Sequence, residues 1–421
     1  MIKKLKEVAK VNEISISSKS YPANIYYIDI ASVDNGFITA AQEIKFSEAP
    51  TRARRIVKNK DILLSTVRPN LRHYAFVQNA KDNTIASTGF AVISCKNINP
   101  RFLYYFLTSN NVTDYLSAIA ESHTSTYPSF PPEILEELEI PFPSEEEQQK
   151  IANILGTLDD KIELNRQMNQ TLEAMARAIF KSWFVDFDPV YAKMEGRDYP
   201  LPPEIMDLFP DELEESELGL IPKGWRVGKV ENNIEIQNGF AFKSEDYITD
   251  GVFVFRTKNF STYNNCERLK DDVFLPNDFL QSHKKFICQP FDFHVVMVGA
   301  SVGKTSIIYP NCLPALRNQN MWCFRPNKQF LYRHFINLLM KNLIQQKLTW
   351  ASGSARDFFR KSDFYDFNVI YPEKRLLEKF ENIINSMFQK ISLNLSSTDI
   401  LVSTREQLSP KLLKGEIDIN G

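Results

Sequence analysis

The stretch FPSEEEQQKIANILGTLDDKIELNRQMNQTLEAMARAIFKSWFVDFDP, residues 142–189, determines how the rest of the chain is interpreted. Ser144 and Glu147 form an S-x-x-E capping box, which is typical of a helix start, and no proline follows before Pro189. Mostly apolar residues recur at alternating steps of four and three, which predicts a helix that packs along another helix. These positions are Ile151, Leu155, Leu158, Ile162, Asn165, Asn169, Leu172, Ala176, Ile179 and Trp183.

The same pattern returns near the end of the chain. Residues 161–165, KIELN, recur as residues 390–394, KISLN, and both seams become polar at the asparagine that ends this motif. A buried amide at such a place fixes the register of a helix pair at some cost in stability. Pro410 is expected to kink or end the second helix early. The second seam comprises Phe380, Ile384, Met387, Ile391, Asn394, Thr398, Leu401, Arg405, Leu408 and Leu412.

Two arrangements of these helices are compatible with the seams. The helices pair with each other, and an antiparallel pair lets the two polar midpoints meet, or they are unrelated amphipathic helices in separate cores. The repeat favours pairing. It also extends upstream, because residues 102–104, FLY, return as residues 330–332, and Asp61 returns as Asp292.

The repeat indicates one module used twice, a domain followed by a helix. We expect an α+β fold in which two β-rich mixed domains alternate with two long helices that pair as an antiparallel coiled coil, with an internal pseudo-two-fold repeat. Prolines and an acidic run between the copies are typical of a linker. The expected boundaries are 1–142 for the first domain, 143–187 for the first helix, 188–222 for the linker, 223–371 for the second domain and 372–421 for the second helix.

The segment VGASVGKTSII, residues 298–308, is similar to a phosphate-binding loop. That loop needs four residues between its glycines and a helix after it. Gly299 and Gly303 enclose only three residues, and residues 306–310 are typical of a strand. In the first copy, residues 67–73 occupy this place without either glycine. We therefore predict a basic hairpin in both copies, and a nucleotide-binding enzyme that uses Lys304 remains the weaker alternative.

The composition excludes several classes of protein. The chain has 421 residues, 43% of them hydrophobic, which fits more than one folded domain, and its net charge of −2 neither suggests nor excludes binding to nucleic acid. The start MIKKLKEVAK lacks the apolar core of a signal peptide and no segment is long enough to span a membrane, so we expect a cytoplasmic protein. The cysteines form no C-x-x-C pair and are expected to be reduced and mostly buried. The histidines lack metal-ligand spacing, and no metal or other cofactor is expected.

Two variable domains that alternate with two heptad helices resemble the specificity subunit of type I restriction-modification systems. The resemblance covers essentially the whole chain and is most specific in KSWFVDFDP, residues 181–189. NGFAFKSEDY at 238–247, the glycine turn at 298–307 and LSPKLLKGEI at 408–417 are similar to recurring pieces of this family. The first domain departs from the pattern, because it lacks the glycine turn.

The resemblance implies a function for both parts of the module. Each target recognition domain would read one half of a split site in double-stranded DNA. The helices would space the two halves and dock two DNA adenine methyltransferase subunits, and restriction subunits that translocate DNA can join such a complex.

The residues themselves fit recognition better than catalysis. Methyl transfer to adenine calls for an Asn-Pro-Pro-aromatic type of loop, and the pairs at 131–132 and 202–203 lack the preceding Asn or Asp. The pair Pro210-Asp211 lacks the Asp/Glu-x-Lys partner of a metal nuclease. We therefore expect a non-catalytic subunit. A coiled-coil scaffold that does not contact DNA remains an alternative.

Recognition of DNA needs cations that bind phosphates and side chains with paired donors or acceptors that distinguish bases. Arginines clustered beside the hairpin provide both in the first domain, and a more dispersed set does so in the second. The candidates in the first domain are Arg52, Arg54, Arg55, Arg68, Asn70, Arg72 and His73. The candidates in the second domain are Lys243, Arg256, Lys258, Asn259, Lys304, Asn318, Gln319, Ser352, Ser354 and Arg356.

Two aromatic groups have a structural and a functional interpretation. Trp183, Phe184 and Phe187 either close the helix pair onto the linker or present an apolar patch to a methyltransferase subunit. Phe240 and Phe242 are interpreted as core residues and not as residues that stack on bases.

Overall fold

The computed structural model describes residues 1–16, 22–39, 41–123, 127–351 and 359–419. The chain forms two compact units, one made of Met1–Glu163 and Asp399–Gly421 and the other of Leu164–Thr398. The fold is α+β, and each unit has its own hydrophobic core. No helix in the described part of the chain is both long and apolar enough to cross a membrane.

The first unit contains two four-stranded sheets. Its strands are β1 Ile2–Lys4, β2 Ala9–Val11, β3 Asn24–Ile28, β4 Val33–Asp34, β5 Phe37–Ile38, β6 Gln42–Lys45, β7 Ala53–Ile56, β8 Ile62–Ser65, β9 Tyr74–Phe76, β10 Thr84–Ser87, β11 Phe90–Cys95 and β12 Glu139–Pro141. One sheet has the order β2-β11-β8-β9, the other has the order β6-β3-β10-β7, and the short pairs β1-β12 and β4-β5 complete the unit.

The sheet that contains β8 and β11 is buried on both faces. Ile62 and Leu64 belong to one core cluster, whereas Leu63 and Val92 belong to another. A strand with two covered faces needs apolar residues at consecutive positions, which explains the uninterrupted run Ile62-Leu63-Leu64. The core on the first of these faces also includes Phe102, so helices cover that face.

The helices of the first unit are α1 Leu5–Val8, α2 Pro100–Leu107, α3 Asn110–His123, α4 Glu133–Glu136 and the first part of α5, which spans Glu145–Phe184. Asn99 caps α2, because its side-chain oxygen accepts a hydrogen bond from the Phe102 N–H at 3.1 Å. The capping box predicted for α5 is confirmed, since the Ser144 N–H donates to Glu147 at 2.9 Å and Ser144 Oγ accepts from the Glu147 N–H at 3.3 Å.

The second unit contains a four-stranded and a three-stranded sheet. Its strands are β13 Leu213–Ser216, β14 Gly219–Pro222, β15 Arg226–Lys229, β16 Ile234–Asn238, β17 Val252–Phe255, β18 Phe274–Leu275, β19 Phe293–Val296, β20 Thr305–Ile307, β21 Ala315–Arg317, β22 Met321–Pro326 and β23 Asn368–Tyr371. Its helices are α6 Asp188–Met194, α7 Pro203–Met206, α8 Phe279–Ser282, α9 Arg333–Ala351, α10 Ser362–Tyr365 and most of α11, which spans Lys374–Leu413.

Both units use the same strand order. The order β16-β22-β19-β20 matches β2-β11-β8-β9, and β18-β17-β21 matches β6-β3-β10. In each unit one strand pair of the second sheet is parallel, β10 with β3 and β21 with β17. Within residues 1–142 the first strand, β1, pairs with the last, β12. Within residues 223–371 the first strand, β15, likewise pairs with the last, β23. The sequence repeat therefore corresponds to repeated topology.

The long helices α5 and α11 contact each other in an antiparallel sense. In the second unit the Asn165 amide donates to Thr398 Oγ1 at 3.3 Å, and the Asn394 amide donates to Asn169 Oδ1 at 2.8 Å. Phe380 meets the ring of Phe184 at a centroid distance of 4.8 Å. Residue numbers fall on α11 as they rise on α5, so the two helices run in opposite directions, and their polar midpoints meet.

Pro410 does not end the last helix early, so this one of the two expectations, a kink or an early end, is wrong. α11 continues to Leu413, with Pro410 inside its last turn. Proline lacks an N–H, so the hydrogen bond to the Glu406 carbonyl is lost. Leu412, two residues further on, is buried in the core of the first unit. Burial of this leucine favours continuation of the helix past the proline.

The segment expected to be a linker is folded. α6, α7 and the pair β13-β14 lie within residues 188–222. Val190, Ile205 and Phe209 are buried in the core of the second unit. Pro189, Pro202 and Pro203 stand at or before the first turn of short helices, where proline is well tolerated, and not in flexible chain.

The cysteines are distributed unevenly. Cys266, Cys288, Cys312 and Cys323 are buried in the second unit, whereas Cys95 of the first unit is partly exposed. All five are free thiols, as the sequence predicted. Burial raises the pKa of Cys323 to about 12 and raises those of Cys266 and Cys288 well above the usual thiol value.

Candidate nucleic-acid interface

The predicted hairpin is present in the first unit, where β8 pairs antiparallel with β9. Its turn holds two non-glycine residues with positive φ, Arg68 at 46° and Arg72 at 58°. Such backbone conformations are costly outside glycine and concentrate at functional sites. Arg68 is exposed, with its guanidinium over the Tyr127 ring at 5.1 Å, and Asn70 is exposed beside it. The turn therefore presents one cation and one amide to solvent.

Arg72 and His73 are held more firmly than Arg68. The Arg72 guanidinium donates to Asn110 Oδ1 at 2.6 Å, and Nδ1 of His73 lies 2.6 Å from the Val33 carbonyl oxygen. Both residues are partly buried. Arg72 also lines a cavity of about 730 Å³ in the first unit, together with Asp159 and Arg405. These contacts favour a role in fixing the turn.

Arg52, Arg54 and Arg55 lie on or next to β7, in the other sheet. Arg54 donates to the Thr51 carbonyl at 2.8 Å, and Arg55 donates to Ser15 Oγ at 3.0 Å, while Arg52 is exposed. The backbone brings Arg52 close to the hairpin. The Thr88 N–H donates to the Arg52 carbonyl at 2.8 Å, and the next residue, Gly89, accepts from the Thr66 N–H at 2.9 Å.

The predicted hairpin is also present in the second unit, where β19 pairs antiparallel with β20. Its turn contains Gly299 and Gly303, whose φ angles of 88° and 84° require glycine. A Cβ at Gly303 would lie 2.7 Å from Leu348. Lys304 is exposed at the end of the turn, and a strand follows it where a phosphate-binding loop needs a helix. The turn presents a lysine and does not form a nucleotide site.

A second loop of this unit packs directly on Asn318. A Cβ at Gly239 would lie 1.7 Å from the Asn318 carbonyl oxygen, so only glycine fits there. The Phe240 N–H donates to the Arg317 carbonyl at 3.2 Å, and the Gln319 N–H donates to the Phe240 carbonyl at 2.9 Å. Gln319 is exposed and Asn318 partly so. Lys243, on the same loop, pairs with Glu245 at 3.1 Å.

Three residues predicted to contact DNA lie together, close to Asp271 and Asp272. Asn259 is 0% exposed, and its amide donates to the Glu267 carbonyl at 3.0 Å and to Asp272 at 2.7 Å. Arg256 donates to the Asp271 carbonyl at 2.9 Å, and Lys258 pairs with the Asp271 carboxylate at 2.5 Å. The prediction for Asn259 is wrong, because its polar atoms are already bonded inside the fold.

The remaining predictions for the second domain concern three residues near position 354 and two phenylalanines. Ser352, Ser354 and Arg356 lie outside the described residues. Phe242 is buried, as predicted, but Phe240 is 37% exposed. Phe240 rests on the rings of His283 and Phe286, at centroid distances of 4.7 and 4.9 Å. It is therefore a surface residue with packed support.

The apolar patch for a partner is not formed by Trp183, Phe184 and Phe187, because all three are buried in the core of the second unit. Trp183 meets Phe209 at a centroid distance of 5.2 Å, and Phe187 meets Trp225 at 5.7 Å. The structure supports the packing interpretation of these residues. The seam of a helix pair and the surface that binds a partner protein use the same residue types, so the sequence could not distinguish the two interpretations.

Sequence reasoning missed a buried polar cluster beneath the second hairpin. Asp292 accepts hydrogen bonds from Arg325 at 2.9 Å, from Arg333 at 2.5 Å and from the Gln289 N–H at 2.7 Å. Burial alone would raise the pKa of Asp292, but hydrogen bonding to Arg325 and the nearby positive charges lower it below the usual aspartate value. Asp292 is thus a structural anion. Its alignment with Asp61 is the signal that could have found it.

His294 and Cys323 lie next to this aspartate, and the three could offer ligand atoms within 4.8 Å of one another. The carboxylate of Asp292 is already occupied by two guanidinium groups and a backbone N–H, so the set does not fit a metal ion. Burial lowers the pKa of His294 to about 3, which keeps the ring neutral. Among the described residues neither ring nitrogen of His294 has a hydrogen-bond partner.

The chain is thus a two-domain protein built from two similar halves, and comparison with known proteins gives its family. The sequence model described as "Type I restriction modification DNA specificity domain" matches the chain twice, over residues 1–174 and 222–394. The chain therefore belongs to the family of type I restriction-modification DNA specificity subunits.

Individual relatives extend over nearly the whole chain. The HindI specificity subunit of Haemophilus influenzae is 30% identical, over 94% of this chain and 95% of the relative. The MjaIX specificity subunit of Methanocaldococcus jannaschii is 27% identical, over 99% of this chain and 93% of the relative. Among solved structures, the S subunit of a type I restriction-modification system from M. genitalium has the same fold, with a TM-score of 0.52 and 16% identity, over 98% of this chain and 95% of that one.

Proposed function

We propose that this chain reads a split site in double-stranded DNA as the specificity subunit of a type I restriction-modification complex. The observation that carries the proposal is the repeated strand order. Each unit places a hairpin with an exposed cation after a buried aspartate, Asp61 or Asp292, at the same position of the same sheet. One reading surface per unit suits a target with two separate halves.

The proposed target recognition domains are residues 1–142 and 223–371, and the proposed spacer helices are residues 143–187 and 372–421. We assign these helices to an antiparallel coiled coil with a pseudo-two-fold repeat. The seam steps of four and three and the meeting of Asn165 with Asn394 support this assignment. With 40 residues, α5 is about 60 Å long at ~1.5 Å per residue, so its length is proposed to set the spacer between the half-sites.

The proposed DNA contacts differ in kind. Exposed side chains at the turns, Arg68 and Asn70 in the first domain and Lys304 and Gln319 in the second, are the ones proposed to reach DNA directly. Cations that face carboxylates, Lys243, Arg256 and Lys258, are proposed to bind phosphate at most. The remaining first-domain candidates, Arg52, Arg54, Arg55, Arg72 and His73, are proposed to surround and support the turn.

The chain is proposed to have no catalytic activity and no cofactor of its own. Its proposed partners are two DNA adenine methyltransferase subunits and, where they are present, restriction subunits that translocate DNA, all in the cytoplasm. Both curated relatives carry the name "specificity subunit" of a type I restriction enzyme, which supports this division of labour. The aromatic cluster at Trp183 is buried, so the docking surface for these partners must lie elsewhere.

Domain exchange combined with methylation mapping tests the proposal. Residues 1–142 are replaced by the matching domain of a relative, and methylated adenines are mapped in a host that supplies the methyltransferase. We expect one half of the target to change and the other to stay the same. Changes in both halves, or in neither, would refute the assignment of one domain to each half-site. The isolated chain, incubated with DNA and a methyl donor, is expected to methylate and cut nothing.

A further inference from the structure

Arg317 is a buried arginine that the proposed contacts leave unexplained. It is 1% exposed and lies at the end of β21. Its guanidinium donates to the Asn238 carbonyl at 2.8 Å, to Gln237 Oε1 at 2.7 Å, to the Ile287 carbonyl at 3.3 Å and to the Lys285 carbonyl. Among the described residues no carboxylate forms an ion pair with it. In this part of the chain its direct hydrogen-bond acceptors are neutral oxygens.

The fold itself does not require an arginine at this place. In the first unit Ala86 occupies the matching position, because Ala86 lies opposite Ile28 in its parallel strand pair as Arg317 lies opposite Phe255 in the other. Burial of a cation is costly unless its hydrogen bonds are satisfied. An arginine where alanine suffices must contribute something other than the packing of the sheet.

The contacts of Arg317 tie together three segments of the second unit. They are the end of β16 with the loop that follows it, the turn at residues 283–287, and β21 with the loop that leads to β22. A guanidinium is a rigid, planar fork, so it fixes the directions of its acceptors as well as their distances. The face of the Phe286 ring lies 5.9 Å from the guanidinium carbon, which fixes the second segment further.

All three segments carry exposed side chains suited to DNA. The first carries Phe240, with Lys243 further along, and the third carries Gln319. The second carries Lys284 and Lys285, two exposed lysines that were not among the candidates from the sequence. Since Phe240 packs on His283 and Phe286, the first two segments also support each other.

We propose that Arg317 is the positioning residue of the DNA-reading surface of the second domain, and that this surface includes Phe240, Gln319, Lys284 and Lys285. The inference rests on the proposed function. Lys284 and Lys285 bind backbone phosphates, and Phe240 and Gln319 meet the base edges. Discrimination between bases needs donors and apolar atoms held within a few tenths of an ångström, whereas long lysines reach phosphate from many positions. Loss of Arg317 therefore relaxes base choice more than it weakens binding.

The experiment uses the full chain with its methyltransferase partner and a DNA library randomised at both half-sites. In Arg317→Met we expect discrimination in the second half-site to fall on the order of tenfold, while the first half-site keeps its sequence. The salt dependence of binding is expected to stay at the value for the unchanged chain. The matched control, Lys284→Ala with Lys285→Ala, is expected to lower the salt slope by about 2 and to leave base preference unchanged.

The outcomes separate this inference from the function on which it rests. A folded Arg317→Met chain that keeps full discrimination in the second half-site, or that weakens both halves equally, overturns the inference. If Arg317→Met does not fold, Gln237→Ala removes one acceptor of the same guanidinium, and unchanged base choice in that variant overturns it as well. Failure of the proposed function gives a different result: the unchanged chain then selects DNA that has no two separate half-sites.

Discussion

Arg405 donates a hydrogen bond to Asp159 at 2.7 Å, and this ion pair joins α11 to α5 inside the first unit. Asp159 also accepts from the Tyr105 hydroxyl at 2.7 Å, so one carboxylate connects α2 with both long helices. Its side chain is 22% exposed and that of Arg405 is 16% exposed. The pair is therefore shielded from solvent screening more than an ordinary surface pair.

Replacement of Asp159 by asparagine should destabilise the first unit. The change leaves Arg405 without a carboxylate in a largely buried place, which we expect to cost on the order of 2 to 3 kcal/mol. Asp160→Asn is the matched control, because Asp160 pairs with Arg101 but its side chain is 55% exposed, so its loss should cost less than about 1 kcal/mol. Urea unfolding of both variants measures the difference. Equal free-energy costs in the two variants would show that the Asp159 contacts stabilise the unit no more than the exposed pair of Asp160 with Arg101.

Lengthening α5 should change the spacer and not the half-sites. Four residues inserted at Thr171, close to one helical turn, add at most roughly 6 Å, against about 3.4 Å per base pair. The insertion is a stutter that locally unwinds the seam, so we expect a gain of one base pair, at most two. Methylation mapping reads the result, with Thr171→Ala as the control of unchanged length. An unchanged spacer in an intact complex would mean that the helices do not measure this distance.

The two kinds of lysine in the second unit should respond differently to salt. Lys304→Ala removes an exposed cation from the hairpin turn and is expected to reduce the slope of log affinity against log salt by about 1. Lys258→Ala removes a lysine that already pairs with Asp271, so we expect the slope to fall by less than in Lys304→Ala. Titration of labelled duplex at several salt concentrations distinguishes them. If the salt slope of Lys304→Ala matches that of the unchanged chain, the DNA contact assigned to Lys304 is wrong.

His294 should make the second unit sensitive to acid. Burial lowers its pKa to about 3 from the usual 6.5, so the folded ring stays neutral while the unfolded ring takes up a proton below about pH 6.5. Stability is therefore lost as the pH falls from 6.5, by at most ~1.4 kcal/mol per pH unit. His294→Leu copies Leu63, the residue at the matching place in the first unit, and should remove this loss.

Other buried groups act in the same pH range, so the measured quantity is the difference between the variant and the unchanged chain. Burial lowers the pKa of His334 to about 4, which adds to the loss in acid. Burial raises the pKa of Glu381 to about 6, and stability from this group falls as the pH rises from 4.5 to 6, the opposite direction. Urea midpoints at pH 7.5 and 5.5 give the comparison. A variant as sensitive to acid as the unchanged chain would exclude His294 as the cause.

Local patterns were sufficient to predict much of the fold. The four-and-three spacing of the seams and the capping box at Ser144 predicted the long helices. The alignment of the turns at Arg68 and Gly299 predicted both hairpins. The same local reasoning failed for Pro410, because the burial of Leu412 in a core built by distant residues favours continuation of the helix. A pattern within a few turns of helix carries no information about such contacts.

The candidate site was less predictable, since exposure decides whether a polar residue meets DNA. Asn259 resembles an exposed amide in the sequence, but Asp272, thirteen positions later, folds over it and takes its hydrogen bond. Arg317 lies beside Asn318 and Gln319 in the sequence, yet its side chain points away from the surface to three carbonyl groups and Gln237. Neighbours in sequence alternate between faces of a strand, so proximity along the chain does not assign a role.

The burial of Cys266, Cys288, Cys312 and Cys323 gives the native chain an internal reporter of opening. Only a thiolate reacts with an alkylating reagent, and a thiol that the reagent cannot reach stays unmodified until its surroundings unfold. A brief pulse of reagent at increasing denaturant, followed by peptide mass spectrometry, would therefore time the opening of the second unit residue by residue. Cys95 of the first unit is partly exposed, so its modification does not require unfolding and is not a reporter of opening. The second unit can thus be followed on its own without an added label.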